Sequence, residues 1–189
     1  MREIRLHGRG GQGTLVAAEI LVSAMVMEGR FGSAIPFFGF ERRGAPISAF
    51  VRFDDQPIRE KTQIYNPDCV VVMDPTLRNA VDVFAGLSGE RMVVLNERRN
   101  LARLDLPPTV KKVGLVDATG IAVDVLGVPI TNTAMLGAFV ATTGWIGLEP
   151  LVESIKQAFA GRPLVEENVK AARSGFEATK VVGLEAGDS

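Results

Sequence analysis

The sequence predicts an α/β fold: a single Rossmann-like domain with a mainly parallel sheet flanked by helices. Three observations predict it. Short runs rich in Val, Ile and Leu alternate along the chain with segments of helical period. A glycine-rich stretch carrying Gly8, Gly10 and Gly13 follows the first of these runs and leads directly into the first helical segment. No repeat, low-complexity tract or linker divides the 189 residues, a length that suits one domain spanning 1–189, with a core over about 3–183.

The elements follow in order. "EIRLHG" (3–8) reads as a strand, and 14–28 as a helix that is apolar almost all round and therefore buried on more than one side. Residues 31–46 hold three glycines and two prolines in sixteen positions and read as irregular. "ISAFVRF" (47–53) alternates as a strand does, 54–57 is a turn, and 58–63 is expected to pair back as a hairpin. "CVVVMD" (69–74), "RMVVLNE" (91–97) and "VKKVGLVDA" (110–118) are continuous apolar runs of the kind found in strands covered on both faces. Pro75 opens a predicted helix to about 86, and further helices are predicted at 118–127, 132–146, 150–160 and 165–182.

Composition excludes several function classes. A net charge of −1 argues against a general nucleic-acid binder, whose footprint would be basic. One cysteine, Cys69, cannot form an internal disulfide or supply a four-cysteine cluster or zinc site from this chain alone. The one histidine, His7, reads as a half-buried strand residue. "MREIRLHG" enters a strand at once rather than opening as a secretory signal, and a cytoplasmic setting is expected. Residues 125–148 carry no charge and are long enough to cross a bilayer. Pro129, Asn132, four threonines and four glycines interrupt that stretch, so it reads as a buried helix and no membrane association is expected.

The glycine stretch bears most directly on function. A loop between a parallel strand and a helix presents unpaired N–H groups at the positive end of the helix dipole, and glycine lets a phosphate approach the backbone. Arg9 could add charge there, and Gln12 or Thr14 hydrogen bonds. A redox dinucleotide site would want a carboxylate about 20 residues on. Glu28, at the end of the first helix, is misplaced for this, and 31–36 offer none. The loop also lacks the Gly-Lys-Ser/Thr ending of a P-loop. A glycine turn serving only close helix–sheet packing stays open.

"GRGGQGTLVAAEIL", "FGFERRGAPISAFVRF", "PDCVVVMDPTL", "NTAMLGAFVATTG" and "EENVKAARSGFEA" together, in order from about residue 3 to 178, resemble the gamma subunit of 2-oxoacid:ferredoxin oxidoreductases. The "FGFERRGAP" form is closest to the pyruvate and branched-chain members. The resemblance implies an enzyme that oxidatively decarboxylates a 2-oxoacid on thiamine diphosphate, passes electrons through [4Fe–4S] clusters to ferredoxin, and delivers the acyl group to coenzyme A. It places the thiamine diphosphate and clusters on partner alpha, beta and, in some assemblies, delta subunits. It gives this chain no catalytic residue but a share of the coenzyme A site: Gly10, Gly11, Gln12, Gly13 and Thr14 in the loop, the basic pair Arg42 and Arg43, Asn132 and Asn168. On the residues alone, Asn132 could simply cap a helix, Asn168 would sit solvated in mid-helix, and the arginines could be surface charge. The rival functions are a free-standing nucleotide or acyl-CoA binding module and a scaffold whose glycines serve packing.

Overall fold

The computed structural model describes residues 1–37, 44–88, 91–98, 101 and 104–184. Among these residues, seven strands form one sheet: β1 (Arg2–Arg9), β2 (Phe31–Phe37), β3 (Pro46–Asp54), β4 (Cys69–Val72), β5 (Arg91–Asn96), β6 (Val110–Val116) and β7 (Lys180–Gly183). Five α-helices accompany them: α1 (Thr14–Met27), α2 (Ala118–Leu126), α3 (Asn132–Thr143), α4 (Leu148–Ala158) and α5 (Val165–Ala178). The strand order is β2-β3-β1-β4-β5-β6-β7. β1, β4, β5 and β6 pair in parallel, whereas β3 joins β1, β2 joins β3 and β7 joins β6 antiparallel. The parallel character is therefore confined to the centre, and both edges run antiparallel.

The two faces of the sheet are covered differently. Ile4, Leu6, Cys69, Val71 and Val94 point to one face, where α1 and α3 lie and the other helices complete a single core. The alternate residues Val70, Val72, Val93 and Leu95 point to the other, which connecting segments rather than α-helices cover, through Leu77, Val83, Leu87, Phe84 and Leu104. Two arginines anchor those segments. Arg52 donates to the carbonyls of Thr62 (2.7 Å) and Gln63 (3.3 Å), and Arg5 to those of Ile64 (3.4 Å), Val83 (3.1 Å) and Ala85.

This explains two departures from the sequence reading. Residues 58–63 form no hairpin strand, because Arg52 takes up carbonyls that a strand partner would need. The helix predicted from Pro75 to about 86 stops after one 3-10 segment, Pro75–Asn79. Beyond it, Arg5 claims the carbonyls of Val83 and Ala85 that a helix would use internally.

Two strands were hidden by local composition. β2 forms despite Pro36 because it lies at the sheet edge, bonded only to β3, where a missing N–H is tolerated. The last helix ends at Ala178 rather than 182, and Lys180–Gly183 turns back to pair with β6.

The uncharged stretch 125–148 is not one helix: it holds the end of α2, an exposed connection at 127–130 and then α3, of whose twelve residues eleven are buried. α3 fits between sheet and α5 because a Cβ on Gly137 would stand 1.9 Å from the Ala172 carbonyl oxygen, and one on Gly175 2.1 Å from that of Ala134. Its buried Thr142 and Thr143 hydroxyls donate to the carbonyls of Ala138 (2.7 Å) and Phe139 (2.9 Å), so neither is left unmet. Among the described residues, no helix is long and apolar enough to cross a membrane.

Candidate functional site

The crossover after β1 leads to one side of the sheet and the segment after β4 to the other, so a crevice opens between their C-terminal ends. Open α/β sheets bind ligands at such a switch point. The glycine loop, the start of α3 and the β4 exit meet there.

In the loop, Gly10 is fixed by its neighbours: its N–H donates to the Ala45 carbonyl (3.0 Å) and its own carbonyl accepts from Gly44 (3.2 Å). Gly11 has φ +95° and Gly13 φ +75°, left-handed values that favour glycine. Their surroundings differ. A Cβ on Gly11 would meet nothing within 4 Å among the described residues, whereas one on Gly13 would lie 2.4 Å from Asn132 Nδ2. The open approach to the backbone is thus at Gly11. Gly13 caps α1 without a side-chain hydrogen bond, and the first turn of α1 carries no acid. Thr14 begins the helix, and its buried hydroxyl has no hydrogen-bond partner among the described residues.

Both ends of the Gln12 side chain are bonded within the protein. Its Oε1 accepts from the Arg9 amide (2.8 Å), its own amide donates to the Arg9 carbonyl (3.0 Å), and its Nε2 donates to Asp74 Oδ2 (2.7 Å). Asp74 follows β4, and its Oδ1 accepts from the Thr76 amide (2.9 Å) and hydroxyl (2.6 Å). Arg9 completes the cluster: Nε lies 3.4 Å from Asp74 Oδ2, its terminal nitrogens donate to the Gly44 carbonyl (3.1 Å) and Thr76 hydroxyl (2.7 Å). Burial by itself would raise the Asp74 carboxyl, but the bonds from Thr76 and Gln12 and the charge of Arg9 outweigh it and hold the group below its ordinary value. Asp74 is therefore ionised at neutral pH.

Asn132 is the first residue of α3; the cap position belongs to Thr131, whose hydroxyl donates to the Met73 carbonyl (3.3 Å). Asn132 Oδ1 accepts from the Thr133 amide (2.9 Å), and its Nδ2 reaches the Gly13 carbonyl at 3.5 Å. The start of α3, where Asn132 takes up one first-turn amide, thus abuts that of α1. Asn168 is not solvated in mid-helix but buried in the first turn of α5, 7% exposed. It donates to the Leu164 carbonyl (2.7 Å), holding a leucine at φ 67°, and accepts from the Thr133 hydroxyl (3.3 Å). Arg42 and Arg43 lie outside the described residues. The loop, Asn132 and, one residue removed, Asn168 are thus brought together.

Sequence reasoning missed Asp74 and Thr76. The signal was there, since Asp74 closes a continuous apolar run, the place where a parallel strand delivers a residue to the ligand-binding edge.

A model of the family described as pyruvate ferredoxin/flavodoxin oxidoreductase matches residues 3–178. The chain belongs to that family. It is 52% identical to the pyruvate/ketoisovalerate oxidoreductases common subunit gamma of Pyrococcus furiosus, over 97% of this chain and 100% of that one. It is 50% identical to the pyruvate synthase subunit PorC of Methanothermobacter thermautotrophicus, covering 94% of this chain and 95% of the other. The crystal structure of a pyruvate oxidoreductase subunit from Thermotoga maritima superposes with a TM-score of 0.82 at 35% identity, covering 95% of this chain and 97% of that one. The expectation of a gamma subunit of a 2-oxoacid:ferredoxin oxidoreductase is borne out, and this oxidoreductase chain is one component of a multi-subunit enzyme.

Proposed function

We propose that this gamma subunit supplies the phosphate-facing part of a coenzyme A site in an enzyme that oxidatively decarboxylates pyruvate or a related 2-oxoacid in the cytoplasm. The observation that carries this reading is the meeting of two helix N-termini, α1 and α3, neither with an acid in its first turn, at the switch-point crevice. The residues fit the group. Gly11 leaves open space where a phosphate can meet backbone N–H groups, and the carboxylate of Asp74 is already satisfied from within the protein. Gly10 and Gly13 shape that surface, the buried Thr14 and Asn132 support it from beneath, Asn168 supports it through Thr133, and Arg42 and Arg43 supply charge to a multiply anionic ligand. Coenzyme A, when bound, contributes the thiol that accepts the acyl group. Thiamine diphosphate and [4Fe–4S] clusters belong in this reading to the alpha, beta or delta partners, and ferredoxin is the electron acceptor of the assembly.

The test uses the assembled enzyme. Gly11→Ala places a methyl group in the open approach and strains the backbone, and is expected to raise KM for coenzyme A far more than it lowers coenzyme A-independent decarboxylation. Arg42→Ala with Arg43→Ala is expected to weaken coenzyme A by roughly ten- to a hundredfold, the usual cost of a lost charge-assisted contact. An unchanged KM in both variants, with normal assembly, rejects the site. Gly13 is the poorer probe, because a side chain there strikes Asn132 first.

A further inference from the structure

We propose that Asp74 and Gln12 are positioning residues for the glycine loop: Asp74 holds the Gln12 amide across the crevice, and Gln12 fixes the Arg9–Gly13 backbone in the form that exposes Gly11. The consequence for ligand affinity rests on the coenzyme A reading given above; the brace itself does not.

A loop containing Gly10, Gly11 and Gly13 has unusual backbone freedom, and a ligand that needs one conformation binds more weakly by the fraction of molecules that lack it. Gln12 removes that freedom. It bonds both the amide (2.8 Å) and the carbonyl (3.0 Å) of Arg9, closing the turn on itself, and its remaining amide donor is tied at 2.7 Å to a carboxylate 62 residues away. The polarity of the amide is set by these partners, since an N–H needs the oxygen and a carboxylate needs the NH₂. With both ends occupied, Gln12 acts on the loop rather than on a ligand.

Asp74 fits the same role. A carboxylate beside an anion site would repel the ligand if it stood free, yet its two oxygens accept three hydrogen bonds and face Arg9. It links the β1–α1 loop to the β4 exit, so the two walls of the crevice are set relative to one another.

The test is a swap of hydrogen-bond polarity in the assembled enzyme. Gln12→Glu sets two carboxylates against each other. Asp74→Asn can no longer accept from both Thr76 and Gln12. The double variant Gln12→Glu with Asp74→Asn restores one donor facing one acceptor, with the net charge of the original pair. Two quantities are read: deuterium exchange in the peptide covering residues 9–14, without ligand, and the dissociation constant of coenzyme A. Each single change is expected to speed exchange and weaken binding by about tenfold, and the double change to recover most of both. Simple electrostatics predicts the opposite for Asp74→Asn, since removing a negative charge would tighten an anion.

Unaltered exchange in the single variants, tighter coenzyme A binding by Asp74→Asn, or a double variant no better than the worse single one overturns the brace. Coupled and rescued exchange with an unmoved coenzyme A constant supports the brace and rejects the coenzyme A reading instead.

Discussion

Arg5 and His7 sit in the middle of a strand paired on both sides, where polar side chains must find partners or cost stability. Arg5 Nε donates to His7 Nε2 (3.0 Å), and His7 Nδ1 faces the Ser48 hydroxyl at 3.2 Å, so the imidazole is neutral with its proton on Nδ1. Burial, and then the charge of Arg5, push the His7 pKa down from 6.5 to about 3. A folded-state pKa below the unfolded one contributes stability that is present above about pH 6.5 and lost as pH falls toward 3. The unfolding free energy is therefore expected to drop by up to roughly 1.4 kcal/mol per pH unit in that window from this residue. Denaturant titrations at pH 7, 6 and 5 measure it, and His7→Gln should flatten the slope. The imidazole resonances should not titrate between pH 8 and 5. The sequence made His7 a strand residue, as it is, but burial decided that it carries no charge.

At the scale of elements, α3 shows how glycine can outweigh helix propensity. Gly137→Ala or Gly175→Ala gains about 1 kcal/mol of intrinsic propensity. The added methyl group, however, would stand within 1.9 or 2.1 Å of a backbone carbonyl oxygen, which cannot swing aside as a side chain can. The helices must separate, and overpacking of this kind costs about 1–3 kcal/mol. A net loss of stability is expected for both variants, read as a lower denaturant midpoint, while Gly183→Ala, with nothing within 4 Å among the described residues, should be near neutral. A rise in stability for Gly137→Ala would mean that α3 and α5 are less closely apposed than they stand here. The strands at the two ends of the sheet make the complementary point. β2 and β7 are built from segments whose own residues argue for loop or helix, and pairing with β3 and β6 settles them.

At the scale of the whole molecule, the chain is one component of a larger enzyme, and two expectations concern what it brings and what it lacks. Its one cysteine lies fully buried in β4, and burial raises its thiol well above the ordinary value, so it offers no thiolate to a metal. Elemental analysis of the separated chain should find neither iron nor zinc in stoichiometric amount; finding either would require ligands shared between copies. β2 presents Phe31 (46% exposed) and Phe37 (44% exposed) along a sheet edge, more apolar ring than a solvated strand ordinarily carries. Phe38 and Phe40, the other aromatic residues of the 31–46 segment, lie outside the described residues. Amide exchange across 31–37 should slow when the partner subunits are present, and equal protection with and without them would count against an interface there.

The sequence by itself determined the α/β class, the four central parallel strands, the glycine loop ahead of α1 and the burial of the α3 part of the uncharged stretch. These are written in consecutive residues: apolar runs of strand length, helical spacing, and glycine where a strand must turn into a helix. The five matching blocks likewise pointed to the gamma subunit because they are local and ordered along the chain. Tertiary structure alone decided that one face of the sheet is covered by segments pinned to Arg5 and Arg52, that Asn168 is buried against Thr133, and that Gly11 rather than Gly13 faces open space. It also decided that Gln12 is bound to Asp74, a partner 62 residues distant. No local pattern encodes such a pair, because the two residues meet only once β1 and β4 have aligned side by side.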